Sequence, residues 1–317
     1  MANIGSKAPT RIGVLPLPGF ALMSYACVVE PFRAANLLSR KSLYELVNFS
    51  LDGPVPSSGA VTAAQEARVG DTPPLDYLFV VAGGDPVAFE DRGCFAWLAR
   101  MDRRGVTLGG VSGGPVILAR AGLMAGRRMT VHWEHATALA EISPNLLIER
   151  SLYVIDRDRV TCAGGTAPLD LMHALIARDH GKVFAQLVSD WFLHTDIRPS
   201  GGPQRGGLVE RVGTTSAPVL DAVGAMEDHV ADPLSLDQLA QIAEVSTRQL
   251  TRLFKERLNQ TPMAYYRDLR LDTAQRLLAQ TPLPLTEIAL ATGFANSSHF
   301  STAYADRFGN PPSSMRR

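Results

Sequence analysis

The sequence predicts an α/β sandwich followed by an all-α domain, and three observations carry that expectation. Apolar strand-like runs alternate with helical periods through the first two thirds of the chain. Residues 196–218 are rich in Gly, Pro, Ser and Thr and show no apolar period. Beyond them strand signals vanish, and 219–308 is helical by period. A chain of 317 residues is long for one core. The boundaries read as a tail over 1–10, a front domain over 11–195, a linker over 196–218 and a C-terminal domain over 219–317.

Each element has its own signal. RIGVLPL, from residue 11, is a short apolar strand, followed by helical spacing through Leu22, Val29, Phe32 and Leu37. DYLFVVAGG, over 76–84, is a run of the kind buried in parallel sheets and ends on a glycine pair. Residues 89–104 read as a helix with Phe95, Leu98 and Met101 on one side. GVTLGGV, from residue 105, is the next strand, with a helix over 115–121 behind it. LYVIDRDRVTCAGG, from residue 152, reads as a hairpin with a polar turn, and helices are expected over 167–177 and 183–193.

Composition narrows the function classes. Lys+Arg and Asp+Glu both number 31, so any case for nucleic acid or an acidic membrane must rest on local clusters. Cys27, Cys94 and Cys162 are scattered and odd in number, which excludes a disulfide framework and suits a reducing compartment. His132, His135, Cys94 and Cys162 lack metal-ligand spacing, so neither a metal nor another cofactor is expected. The start has no signal-peptide pattern, and no stretch approaches the roughly 20 apolar residues of a membrane helix. A cytoplasmic protein is expected.

The last third repeats one pattern, over 234–258 and again over 283–309. Each copy has a short helix with a small residue, Ala240 or Ala289, where a second helix must cross closely. A tight turn follows, at 243–245 or 291–293, and then a polar cap, Ser246 or Asn296, opening an amphipathic helix. This is the helix-turn-helix layout, twice. Gly293 supplies the turn conformation at least cost, while Glu244 in the equivalent place is less suited. Leu250, Leu253 and Phe254 form the buried stripe, leaving Thr247, Arg248, Gln249, Thr251, Arg252 and Lys255 outward as donors to base edges and phosphates. One such face alone is equally a solvated polar surface; repetition at matched spacing favours DNA. Arg248, Arg252, Lys255, Arg257, Arg267, Arg270 and Arg276 make the middle of the domain basic, offset upstream by Asp221, Glu227, Asp228, Asp232 and Asp237.

The runs STRQLTRLFKERLNQTPMAYYRDLRLDTAQRLL and IALATGFANSSHFSTAYADRFGNPP resemble the DNA-binding domain of AraC/XylS-type transcription factors. The resemblance implies two units joined by a long helix, here over 262–279, reading successive major grooves of promoter DNA. By position it assigns Arg248, Thr251 and Arg252 to one groove and Ser298, His299, Ser301 and Thr302 to the other. Thr302, Ala305 and Asp306 stand where that family more often has basic residues.

In the front domain LGGVSGGPVILA, from residue 108, contains G-x-S-x-G at Gly110, Ser112 and Gly114, the pattern of a nucleophile elbow. A serine nucleophile needs a positioned base and an oxyanion hole. His132 is the candidate base, and Gly83 and Gly84 could lend backbone N–H groups. Glu134 and Asp170 are poor candidates for the orienting acid, and none lies between Ser112 and His132, as the α/β-hydrolase order requires. The elbow is therefore expected to persist without turnover, so the chain is not expected to be an enzyme. A serine-dependent hydrolase or amidase with a DNA-binding tail is the alternative, and a ligand-independent DNA-binding protein with a dimerising front domain is a third.

The motifs LPGFALMSYACVVEPFRAAN, LFVVAGGDP, LGGVSGGPVILARAGLMAGRRMTVHWEH and VTCAGGTAPLDLMHALI resemble the PfpI-like, class I glutamine-amidotransferase-like domain of GlxA-type regulators. That resemblance implies a flavodoxin-like sandwich and a homodimer. Enzymes of the superfamily carry a cysteine at the elbow, with a histidine and an acidic residue from an early turn. Here the elbow holds Ser112, and no acid stands near Met23 and Ser24; Glu30 is the nearest.

What remains is a small-molecule pocket at the carboxyl edge of the sheet. Its expected lining is Pro18, Gly19, Phe20, Gly83, Gly84, Asp85, Ser112, Gly113, His132, Trp133, Glu134 and Thr166. The start of the helix after Ser112 and Gly113 favours a carboxylate. Phe20 and Trp133 offer faces for a cation, with Glu30, Asp85 or Glu134 completing the charge; core packing is the equal alternative for both aromatics. SYACVVEPFRAANLLS is similar to the subgroup sensing betaines, carnitine or basic amino acids. The expected function is a cytoplasmic transcriptional regulator, an activator, whose front domain senses such an effector, with RNA polymerase a further partner. The sequence names neither effector nor operator.

Overall fold

The computed structural model describes residues 8–316, so residues 1–7 of the expected tail lie outside it. The front of the chain runs β1 (Thr10–Pro16), α1 (Leu22–Ser39), β2 (Tyr44–Ser50), then the short strands β3 (Val55–Pro56), β4 (Thr62–Ala63) and β5 (Ala67–Arg68). β6 (Tyr77–Ala82), α2 (Arg92–Arg103), β7 (Thr107–Ser112) and α3 (Gly114–Arg120) follow. After them come β8 (Arg128–Met129), α4 (Trp133–Ile142), β9 (Leu147–Ile148), β10 (Tyr153–Asp156), β11 (Arg159–Cys162), α5 (Ala167–His180) and α6 (Lys182–Trp191).

Seven strands form one sheet in the order β10-β11-β7-β6-β1-β2-β5. Neighbours are parallel except β10 and β11, the expected hairpin, which pair antiparallel from Tyr153 with Cys162. The chain steps from β1 to β2 on one side and later returns to β6 on the other. At such a reversal the carboxyl ends of the strands open a crevice. β6 is buried along its whole length, as its unbroken apolar run requires. Its alternate residues feed two cores. Phe79 and Val81 join Phe32, Leu171 and Val188 of α1, α5 and α6. Leu78 and Val80 join Trp97, Ile117 and Leu139 of α2, α3 and α4. α2 starts at Arg92, not at residue 89, because the Asp91 carboxylate accepts the Cys94 N–H at 2.7 Å and fixes the first turn.

The stretch 196–218 differs from the free linker expected. Packing divides the chain after Gln204. Before that point, Arg198 binds Asp170 through Nε at 3.0 Å and Nη2 at 2.6 Å. The Ser200 carbonyl accepts the Leu152 N–H at 2.8 Å. Gln204 Nε2 donates to Thr130 Oγ1 and the Val131 carbonyl, both at 3.0 Å, and to the Ser151 carbonyl at 2.8 Å. Beyond it, part of the stretch is helix. The Gly- and Pro-rich composition concealed this order because it comes from two long polar side chains reaching back, not from an apolar period.

From Arg205 the described chain holds α7 (Leu208–Val212), α8 (Ala217–Asp228), α9 (Leu236–Ile242), α10 (Thr247–Leu258), α11 (Pro262–Gln280), α12 (Leu285–Ala291), α13 (Ser297–Phe308) and a closing 3-10 turn, Pro312–Arg316. Arg211 grips Glu227 with two nitrogens, at 2.6 and 2.9 Å, tying α7 to α8. No helix among the described residues is long and apolar enough to cross a membrane.

Candidate functional site

In the helical unit α9 with α10, and α12 with α13, form the two repeats. α11 joins them and spans about 28 Å at 1.5 Å per residue. The two turns match bond for bond. In the first, Glu244 N–H reaches the Gln241 carbonyl at 3.1 Å and Val245 N–H the Ala240 carbonyl at 3.0 Å. In the second, Gly293 N–H reaches Leu290 at 2.9 Å and Phe294 N–H reaches Ala289 at 2.7 Å. Glu244 holds φ +53° where Gly293 holds +71°, so the glutamate carries left-handed strain that the glycine avoids. Both caps act as expected: Ser246 Oγ accepts the Gln249 N–H at 3.2 Å, and Asn296 Oδ1 the His299 N–H at 2.8 Å.

On α10 Leu250 and Phe254 are buried, Leu253 half-buried, and Arg248, Gln249, Arg252 and Lys255 exposed, with Thr247 and Thr251 between. On α13 Phe300 and Tyr304 are buried, while Ser298, His299 and Thr302 are exposed and Ser301 is partly so. The Thr251 and Thr302 hydroxyls bond back to the carbonyls of Thr247 and Ser298. The basic middle is narrower than expected. Arg270 donates to the carbonyls of Thr292 at 2.7 Å and Gly293 at 2.6 Å, and its guanidinium lies 4.3 Å from the Phe294 ring centre. Burial pulls its pKa below the usual arginine value. Arg276 donates to Thr273 Oγ1, and Arg267 lies 3.8 Å from Asp268. The exposed basic residues are thus Arg248, Arg252, Lys255 and Arg257 on α10 and Arg267 on α11.

In the α/β unit β7 ends on Ser112, whose backbone takes φ +61°. Glycines wall it in. A Cβ on Gly110 would lie 2.6 Å from Pro115 N, one on Gly114 2.0 Å from the Val80 carbonyl oxygen, and one on Gly164 2.7 Å from Ser112 Cβ. A Cβ on Gly83 would lie 2.7 Å from the Gly19 carbonyl oxygen, so the chain just past β1 and just past β6 approach as backbones. His132 N–H reaches the Ser112 carbonyl at 3.4 Å. The carboxyl ends of β1, β6, β7 and β11 therefore converge around Ser112. Ser112 itself is buried, while Pro18, Gly84, Trp133, Glu134, Gly165 and Thr166 are exposed around it.

His132 caps α4: its Nδ1 accepts the Glu134 N–H at 3.4 Å, with Glu134 Oε2 3.8 Å away. Burial, then neighbouring His135, lowers its pKa against the opposing pull of Glu134. Among the described residues no side-chain hydrogen bond joins His132 to Ser112. The three thiols are buried, and burial pushes them up, Cys27 to about 11 and Cys94 and Cys162 to about 12. A cavity of about 220 Å³ lies apart from Ser112, along β10 and the 200–201 backbone, with Arg128, Glu149 and Tyr153 in its wall.

Residues 22–178 match the DJ-1/PfpI family, and 239–317 match a helix-turn-helix domain. The chain is 42% identical over 323 residues to the HTH-type transcriptional regulator GlxA of Rhizobium meliloti (strain 1021), covering 100% of this chain and 98% of that protein. The chain belongs to the family of GlxA-type transcriptional regulators. Two further relatives of this GlxA-type chain come from Pseudomonas aeruginosa. The HTH-type transcriptional regulator CdhR is 42% identical, over 95% of this chain and 90% of its own. The HTH-type transcriptional regulator GbdR is 38% identical, over 98% and 85%. Among solved structures, an AraC family transcriptional regulator from Pseudomonas putida aligns with TM-score 0.53 and 28% identity, over 58% of this chain and 100% of that one. A ThiJ/PfpI family protein from Pseudomonas syringae aligns with TM-score 0.53 and 24% identity over 77% and 96%, a likeness of fold alone. GlxA-type regulators are DNA-binding transcription factors, with a flavodoxin-like α/β domain ahead of an AraC-type helix-turn-helix domain.

Several residues expected to line the pocket of this GlxA-type regulator have other work. Phe20 has no exposed surface and packs on Tyr25 with ring centres 5.0 Å apart, so it is core. Glu30 pairs with Arg33 at 2.6 Å, one turn along α1. The Asp85 carboxylate accepts the Val87 and Ala88 N–H groups and shapes its own loop. Asp170, a candidate acid for His132, is fully buried and bound by His194 at 2.8 Å and by Arg198. Trp133 is 38% exposed, at the rim. Sequence reasoning missed Gly164, Arg198, Gln204 and the turn-holding role of Arg270. The glycine pair before α5 was a signal for the first; nothing in local sequence marks the others.

Proposed function

We propose that the α/β unit binds a small zwitterionic effector, of the betaine, carnitine or basic amino-acid class, above Ser112, and that occupancy changes how the helical unit engages promoter DNA. The left-handed backbone at Ser112 carries this reading. A serine there costs about 1–2 kcal/mol, and such strain persists where the surroundings over-determine it, commonly at ligand sites. Three glycines keep the surroundings tight, and the position lies beside the sheet's reversal crevice.

His132 favours recognition over turnover. With Nδ1 accepting, the neutral ring carries its proton on Nε2. That nitrogen offers a hydrogen to a carboxylate; it cannot take one from a serine. We therefore propose a sensor without hydrolytic activity.

The readout we propose runs through 198–204. Arg198 holds Asp170 and Thr166, just past Gly164, which faces Ser112, and Gln204 holds Val131, which precedes His132. The next residue begins the helical unit. A ligand that prefers one placement of these loops shifts the segment's footing. On DNA, Arg248, Thr251 and Arg252 meet one groove, Ser298, His299, Ser301 and Thr302 the next, with Thr247, Gln249 and Lys255 alongside the first. The regulator acts in the cytoplasm as a homodimeric activator, with RNA polymerase as a partner.

Titration calorimetry of the full chain with trimethylglycine, carnitine and L-arginine tests the effector reading. Saturable binding of one of them, weakened about tenfold in Ser112→Ala, supports it. The absence of binding by all three, or ester turnover lost in Ser112→Ala, overturns it. Gln204→Leu is expected to bind effector normally and lose its effect on DNA affinity.

A further inference from the structure

α6 presents an apolar stripe to solvent. Its inner side, Ala185 and Val188, is buried in the core. Val183, Leu187 and Trp191 follow at every fourth residue on another side, and they are 88%, 50% and 51% exposed. A solvent-facing helix surface is normally polar. Leu193, just past the helix end, is 87% exposed and sits at φ +55°, the left-handed closing position that glycine usually takes. A branched side chain held there in strain and in water points to something that covers it.

The charges flanking the stripe say what. Lys182 and Asp190 are both exposed and lie eight residues apart, within about 80° of each other around the helix on the side that precedes Val183. A two-fold axis near Leu187, running two copies of α6 antiparallel, sets each Lys182 against the partner subunit's Asp190. It also stacks the two stripes face to face. One surface thus satisfies itself, which is the requirement of a two-fold interface. Gln186 Nε2 holds the Asp190 carboxylate at 2.8 Å and so fixes its position on the helix surface.

We infer that the outer face of α6, with Leu193, is where a second copy of this chain docks. The inference rests on the dimeric reading above and assigns its surface. No residue of the effector crevice or the recognition helices belongs to this face.

Sedimentation of the full chain over nanomolar to hundred-micromolar concentrations tests it, with thermal unfolding as a check on folding. Leu187→Asp is expected to raise the dimer dissociation constant about tenfold or more, with a melting temperature that matches the wild type when both are measured at concentrations where they are monomeric. Lys182→Glu and Asp190→Lys are each expected to weaken association several-fold, and the double exchange to restore it, because two-fold pairing re-creates the attraction. Should Leu187→Asp fail to fold, the charge exchange decides alone. A monomeric wild type at every concentration overturns both this surface and the dimeric reading. A dimer that tolerates Leu187→Asp, or a double exchange without rescue, overturns the surface alone.

Discussion

Gly164 stands so close against Ser112 that a methyl group on it would lie 2.7 Å from Ser112 Cβ and 3.0 Å from its Oγ. The backbone of one strand end thereby clamps the elbow at the end of another. Gly164→Ala cannot be absorbed by a flexible tip, because Ser112 Cα also lies 2.9 Å from the added carbon. With φ +95° added, the expected loss is about 2–4 kcal/mol in urea unfolding. Neighbouring Gly165 has φ +60° and open space where a Cβ would stand, so Gly165→Ala should cost only about 1 kcal/mol. Equal losses at the two positions would remove the clamp.

The two helix-turn-helix turns offer a paired experiment of opposite sign. Glu244→Gly relieves a left-handed glutamate in the first turn and should gain about 0.5–1 kcal/mol in thermal unfolding. Gly293→Ala in the second forces a Cβ to 2.4 Å from Pro233 Cγ and 2.7 Å from the Val230 carbonyl oxygen, and should cost about 2–3 kcal/mol. Because Gly293 meets a fixed proline ring and a backbone carbonyl, the loss should appear in DNA affinity as well as in stability.

These pairs also mark what the sequence could disclose. Period and caps are local, so β1, β6 and β7, the hairpin at Tyr153 to Cys162, and the caps Ser246 and Asn296 were readable from residue types alone, whereas β2 was not. The elbow was readable because steric need for glycine at Gly110 and Gly114 leaves a pattern within five residues. Side-chain reach across the fold leaves none. Arg270 sits 22 residues from the carbonyl it holds, and Gln204 sits 73 from Val131, so both looked like ordinary polar positions. Phe20 misled for the converse reason: it is adjacent in sequence to the crevice, yet it is core.

Arg252 and Arg270 should separate on DNA although both are arginines of the same domain. Arg252 is exposed and leans on Glu256 at 3.3 Å, a pair worth little to stability. Arg252→Ala should leave the melting temperature unchanged, cost about 1–3 kcal/mol at the cognate site and relax base preference there. Arg270→Met removes two charge-assisted bonds to the second turn and should destabilise the domain by about 2–3 kcal/mol. Electrophoretic titration at two salt concentrations distinguishes them from a phosphate contact, whose loss would lower the salt slope by about one.

The pH response of the α/β unit follows from His132 and His173, whose pKa values burial holds below the ordinary histidine value. For a base whose folded pKa is depressed, the unfolded chain binds the proton first. Stability is therefore full above about pH 6.5, the unfolded value, and declines as pH falls through the folded pKa values. Urea unfolding between pH 7.5 and pH 5 should show this decline, and His132→Asn should flatten part of it. Asparagine can still accept the Glu134 N–H that His132 Nδ1 now accepts, so the α4 cap survives and the change in slope isolates the proton. Stability that rose on acidification, or a slope unaltered by the substitution, would mean that His132 is not held neutral by its burial. Effector affinity offers a second readout on the same residue: a neutral Nε2 donor loses nothing between pH 8 and 7, so carboxylate binding should stay level there.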